Sequence, residues 1–142
     1  MQRISIQHSP PKYGWLTLSL CVGSQEFVID ASDVPNNPVQ ELLSALEEAS
    51  AGRTAAVWWN LEPDGYFMRF EPTVDGMQFR LEYSRNSNVN GVSIIATLHG
   101  TVAEVLLPFW SFLREFQSRN YSEMHWPVVC YKRISIIRDN IQ

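Results

Sequence analysis

Between Thr54 and Ser84 the side chains select their own pairing. Thr54–Asn60 reads as a strand, Asn60–Gly65 as a turn and Tyr66–Val74 as a second strand. Asp75-Gly76 reads as a two-residue turn and Met77–Ser84 as a third strand, because Asp-Gly supplies the positive φ of a type I′ hairpin. With Val74 facing Met77, Phe70 faces Leu81 and Met68 faces Tyr83 on one side of the hairpin. On the other side Glu71 meets Arg80 and Arg69 meets Glu82, opposite charges at cross-strand distance. A slip of one residue sets charges against aromatics, so the pattern selects an antiparallel meander. Pro72 falls at a pair that should exchange ladder hydrogen bonds, which predicts a bulge near the turn.

Further strands are expected at Arg3–Gln7, Tyr13–Val22, Glu26–Ala31 and Val92–His99, the last after a polar loop at Arg85–Gly91. Asn37 followed by Pro38 marks a helix start. Val39, Leu42, Leu43 and Leu46 continue that helix as one apolar stripe, and Gly52 suits its end. Thr101 and Glu104 have capping-box spacing ahead of Val105, Leu106, Phe109, Phe112 and Phe116. Pro108 either kinks that second helix or marks its first turn. The tail from Tyr121 fits helix by the spacing of Cys130, Ile134, Ile137 and Ile141, and strand by its β-branched content; a final helix entered through Trp126-Pro127 is favoured. The whole chain, residues 1–142, then makes a single α+β domain. Its architecture is an antiparallel five- to six-stranded meander with two or three helices packed mainly on one face.

Composition narrows the function. Hydrophobic residues make up 45% and charged residues 18%, a folded composition. A formal charge of −4 disfavours nucleic acid and anionic membrane surfaces as partners and allows a basic protein. The first residues lack an apolar leader core, and no apolar run reaches membrane-spanning length, which points to the cytoplasm. Cys21 and Cys130 sit among apolar neighbours and read as two buried, reduced thiols.

Catalytic signals are sparse. His8, His99 and His125 are scattered, and none has a second ligand at helical or strand spacing, so no metal or cofactor is expected. His99 with Glu104 has the make-up of a base and its orienting carboxylate, but no nucleophile or oxyanion arrangement accompanies the pair, and Glu104 reads as the second half of a helix cap.

Recognition chemistry is better represented. Alternation sends Trp58 and Trp59 to opposite faces, and Phe67 to the charged face with Arg69 and Glu71. Trp59, Phe67, Arg69 and Glu71, with Glu62 and Asp64 in the adjoining turn, form a candidate partner-binding set. A helix lying over that face is the competing reading. A small-molecule site between the sheet and the Thr101–Arg119 helix is the alternative function, lined by Tyr83, His99, Trp110 and Phe112. The protein is expected to be a monomer, or a homodimer formed through a strand edge or the aromatic face.

Tyr13-Gly14-Trp15-Leu16, the run from Ser32 to Leu46, Trp59-Asn60-Leu61-Glu62-Pro63 and the terminal Tyr121…Trp126-Pro127 carry a resemblance. In these motifs and their order the chain resembles small bacterial α+β proteins of the immunity type, from toxin–antitoxin and contact-dependent inhibition systems. That resemblance implies a non-catalytic domain that binds and neutralises a cognate toxin, a basic toxin domain being the partner suited to this charge.

Overall fold

The computed structural model describes residues 3–88, 92–121 and 123–141. Strands β1 (Ile4–His8), β2 (Trp15–Val22) and β3 (Gln25–Ser32) precede helix α1 (Pro38–Ser50). Strands β4 (Ala55–Asn60), β5 (Gly65–Thr73), β6 (Gly76–Ser84) and β7 (Ser93–Gly100) follow, then helices α2 (Val102–Arg119) and α3 (Tyr131–Ile141). The sheet has seven antiparallel strands in sequence order, one or two more than the five or six expected, because every strand segment read from the sequence joins it, the five-residue β1 included. The end of the polar loop at residues 89–91 and the start of the chain lie outside the described residues. No helix among the described residues is long and apolar enough to cross a membrane.

The faces of the central hairpin are as the alternation demands: Met68, Phe70, Phe79 and Leu81 are all buried in one core. The pairing differs by two residues from the expected one. Phe70 faces Phe79, Met68 faces Leu81, and the loop residues are Val74 and Asp75, closed by Thr73 opposite Gly76. Gly76 is outside the positive-φ region; it is needed because a Cβ there would stand 2.1 Å from the Gly100 carbonyl oxygen at the end of β7. The shift also removes the difficulty at Pro72. Bonded and non-bonded pairs alternate from the closing pair, so Pro72 opposite Met77 falls at a non-bonded position and the hairpin needs no bulge. The irregularity lies instead between β6 and β7, at Leu81/Glu82.

Asn37 caps α1 by accepting the amides of Val39 and Gln40, with Pro38 in the first turn. Thr101 and Glu104 form the reciprocal capping box of α2, which runs on through Pro108. The tail is helical from Tyr131, and Ile134, Ile137 and Ile141 turn inward. Cys130 falls just before that helix and is exposed, while Cys21 is half-buried; both are free thiols, and neither has the full burial expected of it. The apolar stripe here is carried by Trp126 and Val129.

The sheet curls so that β2 and β7 approach each other across its inner face. Helices α1 and α2 add their apolar stripes to the same core, against β4–β5 and against β1, β6 and β7. Between β3 and β4 the ladder nearly breaks: a single bridge, Ser32 to Asn60, joins the strands. Side chains close the gap. The Glu41 carboxylate accepts the Trp58 amide at 2.8 Å, and the Asn36 amide group donates to the Trp58 carbonyl at 3.0 Å. Asn60 in turn donates to the Val34 carbonyl at 2.6 Å.

Candidate functional site

The outer sheet face divides into two halves. In the β5–β6 half, Arg69 and Arg80 stand directly opposite each other, a repulsive placement on its own. Glu82 resolves it by accepting Arg69 Nε at 2.6 Å and Arg80 Nε at 2.8 Å. Arg80 also reaches Glu71. The charge pairs expected straight across the hairpin therefore exist as diagonal ones, the consequence of the two-residue shift. Glu82 is only 3% exposed. Burial pushes its carboxyl up, but the hydrogen bonds and charges of Arg69 and Arg80 outweigh that and hold it below the usual carboxylate range. Two cations and two anions satisfy one another here, leaving little free charge to attract a ligand.

The aromatics of this half cover themselves. Trp58 and Phe67 pair across β4 and β5 with ring centroids 4.8 Å apart. The Arg69 guanidinium lies 4.7 Å over the Phe67 ring. Gly65 makes room for this: a Cβ there would come within 2.7 Å of the Trp58 ring and 2.2 Å of the Trp59 carbonyl oxygen. Phe67 points away from the core as alternation requires, yet is 7% exposed.

The candidate partner-binding residues are thus partly gathered. Phe67, Arg69 and Glu71 share the outer face of β5, and Glu62 and Asp64 lie in the turn that leads into it. Glu62 is exposed, in the left-handed region at φ 62. Asp64 accepts the Tyr83 hydroxyl at 2.6 Å. Trp59 does not join them. It is the inward member of the tryptophan pair, 0% exposed, and belongs to the core rather than to any contact surface.

The β2–β3 half is the part that sequence reasoning missed. Val28 is 63% exposed, and Trp15, at the end of β2, is 38% exposed. Glu26 and Asp30 flank Val28 on the same side of β3. Their partners are hydroxyls: Ser19 donates to Glu26 at 2.8 Å and Thr17 to Asp30 at 2.9 Å. No cation among the described residues pairs with either carboxylate. An apolar centre between two uncompensated negative charges is the result. Its signal was in Glu26-Phe27-Val28-Ile29-Asp30, where the solvent side of the alternation reads acid, β-branched, acid.

The histidines serve local structure. His8 stacks edge-on against Phe112, and its Nε2 meets the Tyr121 hydroxyl at 2.9 Å; burial lowers its pKa. His99 turns away from Glu104, which caps α2, and meets Thr73 at 3.0 Å and Asp75 at 3.2 Å. Both contacts use Nε2, so the cluster lacks the two-sided relay that activates a hydroxyl nucleophile. His125 Nδ1 meets Asp33 at 3.2 Å, tying the loop before α3 to the end of β3. The described residues contain no group of three metal-ligating side chains.

An open cavity of about 590 Å³ does lie between the sheet and α2, but at the β1 edge. Phe112 lines it, whereas Tyr83, His99 and Trp110 do not. Trp110 is occupied between helices, donating to the Ile134 carbonyl at 2.9 Å.

No protein-family model, curated protein or solved structure matches the chain.

Proposed function

We propose that this chain is a non-catalytic protein-binding domain, and most specifically an immunity protein that binds and neutralises a cognate toxin through its outer sheet face. One observation carries the choice of surface: Val28 stands exposed between Glu26 and Asp30, and no cation among the described residues pairs with either carboxylate. An apolar anchor ringed by polar groups is the usual layout of an interface centre and its rim. Unpaired carboxylates steer a basic partner towards that centre and speed the encounter. The overall charge of −4 acts in the same sense. The β5 residues Phe67, Arg69 and Glu71 extend the surface as an internally paired flank, bordered by Glu62 and Asp64 in the preceding turn. The immunity reading rests on the sequence resemblance together with this charge pattern.

Co-expression with the product of the neighbouring gene, followed by calorimetry, tests the proposal. The native chain should bind it tightly, and Val28→Arg should weaken binding at least tenfold without changing thermal stability. Absence of binding, or binding indifferent to Val28→Arg, would count against the outer face as the toxin site.

A further inference from the structure

The β1 edge and α2 enclose a slot shaped for one more strand. The bonds that continue the β1–β2 ladder, from the Gly23 amide to the Arg3 carbonyl and from the Ser9 amide to the Thr17 carbonyl, fix its phase. Odd-numbered residues of β1 direct their backbone groups at β2. The N–H and C=O groups of Ile4, Ile6 and His8 therefore point out of the sheet, along its free edge. The 590 Å³ cavity runs along that edge, since it is lined by Ile4 and Ile6 from the inner face and by Ser5 from the outer one. A void over one face would not touch both.

The far wall is the flank of α2 beside its core stripe: Ala103, Leu107, Pro108 and Ser111, with Phe112 from the stripe itself and Glu104 and Glu115 towards the ends. Pro108 has no amide to give the Glu104 carbonyl, so the helix wall also offers a backbone acceptor that lacks its usual partner. From Ala103 to Glu115 the wall is about 18 Å long, the length of an extended segment of about five or six residues.

We propose that this slot binds an extended peptide segment by strand addition to β1, with apolar side chains at alternate positions turned towards α2. Strand amides with no partner among the described residues call for an extended backbone as their partner. The apolar middle of the α2 wall takes the alternate side chains. Glu104 is engaged in the α2 cap, Glu115 pairs with Arg119, and Arg3 lies on the strand side, so the slot selects by backbone and apolar surface rather than by charge. A second copy of the chain fits poorly, because its β1 would enter with β2 on one side and α2 on the other. This site is separate from the outer face around Val28.

The probe is a fluorescein-labelled hexapeptide, acetyl-Lys-Val-Thr-Val-Lys-Val-amide, titrated by fluorescence anisotropy against the full chain. Saturable binding is expected, weakened at least tenfold by Ser111→Trp, which fills the slot from an exposed position. The same peptide methylated on alternate backbone nitrogens should also bind at least tenfold more weakly. In amide exchange followed by NMR, the Ile4 and Ile6 amides should exchange quickly in the free chain and at least tenfold more slowly with the probe. Val28→Arg should leave all of this unchanged, which separates the slot from the toxin-binding reading. No binding, equal binding of the methylated peptide, or unaltered Ile4 and Ile6 exchange overturns the proposal. Protection of those amides in the free chain, with a dimer in light scattering, does so as well by assigning the edge to a second copy.

Discussion

Single residues decide how the outer face is built. Gly65 lets the Trp58 ring lie against the sheet, where any side chain would strike that ring and the Trp59 carbonyl. Gly65→Ala should therefore destabilise the fold by about 1–3 kcal/mol in urea titrations, the range of overpacking substitutions. Nothing in the sequence around Asn60–Gly65 beyond a turn signal announces this; the requirement comes from Trp58, seven residues earlier and across the turn. Glu82 gives a pH signature. Its carboxyl is held below its unfolded value despite burial, because Arg69 and Arg80 both donate to it. A depressed folded pKa contributes stability that is present above the unfolded carboxylate range and lost as pH falls through the folded value. The native chain should thus lose stability more steeply below about pH 4 than Glu82→Gln does, the unfolded glutamate titrating near that value. Parallel slopes in a pH series of urea melts would remove Glu82 from that account.

At the scale of elements, the sequence was most readable where a local rule acts alone. The Thr101/Glu104 box and the Asn37-Pro38 start needed only neighbouring residues, and both caps form as expected. Thr101→Ala should cost about 1 kcal/mol and lower the melting temperature, the shift being read by circular dichroism. The hairpin was readable only in part. Alternation fixes which side chains share a face, so Met68, Phe70 and Leu81 fall together in either register. A shift by two leaves every face unchanged and alters only the cross-strand partners. The choice between those registers was made by the close approach of Gly76 to Gly100 and by Pro72 avoiding a bonded position. The first is a contact with β7 that lies outside the hairpin; the second was visible as a misfit in the expected pairing. The binding surface follows the same logic. Phe67 could be assigned a face from β5 alone, but its cover by Trp58 and Arg69 depends on a neighbouring strand and on side-chain conformation.

For the whole molecule, the consequential feature is the joint between β3 and β4. It separates the half of the sheet carrying Val28, Glu26 and Asp30 from the half carrying Phe67, Arg69 and Glu71, and one ladder bridge spans it. Local sequence rules cannot foresee such a break, since each strand on either side has an ordinary pattern. The seal is made from α1: Glu41 accepts the Trp58 amide and, at 2.7 Å, the Asn36 side-chain amide, whose other contact is the Trp58 carbonyl. Removing that carboxylate leaves two part-buried donors without their acceptor, a loss of about 1–3 kcal/mol for an unsatisfied buried group. The loss should be local, because the β5–β6 ladder and the core stripe of α1 do not depend on Glu41. In native-state hydrogen exchange, Glu41→Ala should speed the Trp58 amide well beyond the change in global stability, while amides within the β5–β6 ladder follow that global change. Glu41→Gln, which keeps one acceptor oxygen, should restore most of the protection. If Glu41→Ala instead accelerates all amides equally, the two halves open as one unit and the joint has no independent motion. Selective opening would mean that the acidic patch and the β5 flank can adjust relative to each other as a partner docks across them, with Glu41 setting how readily they do so.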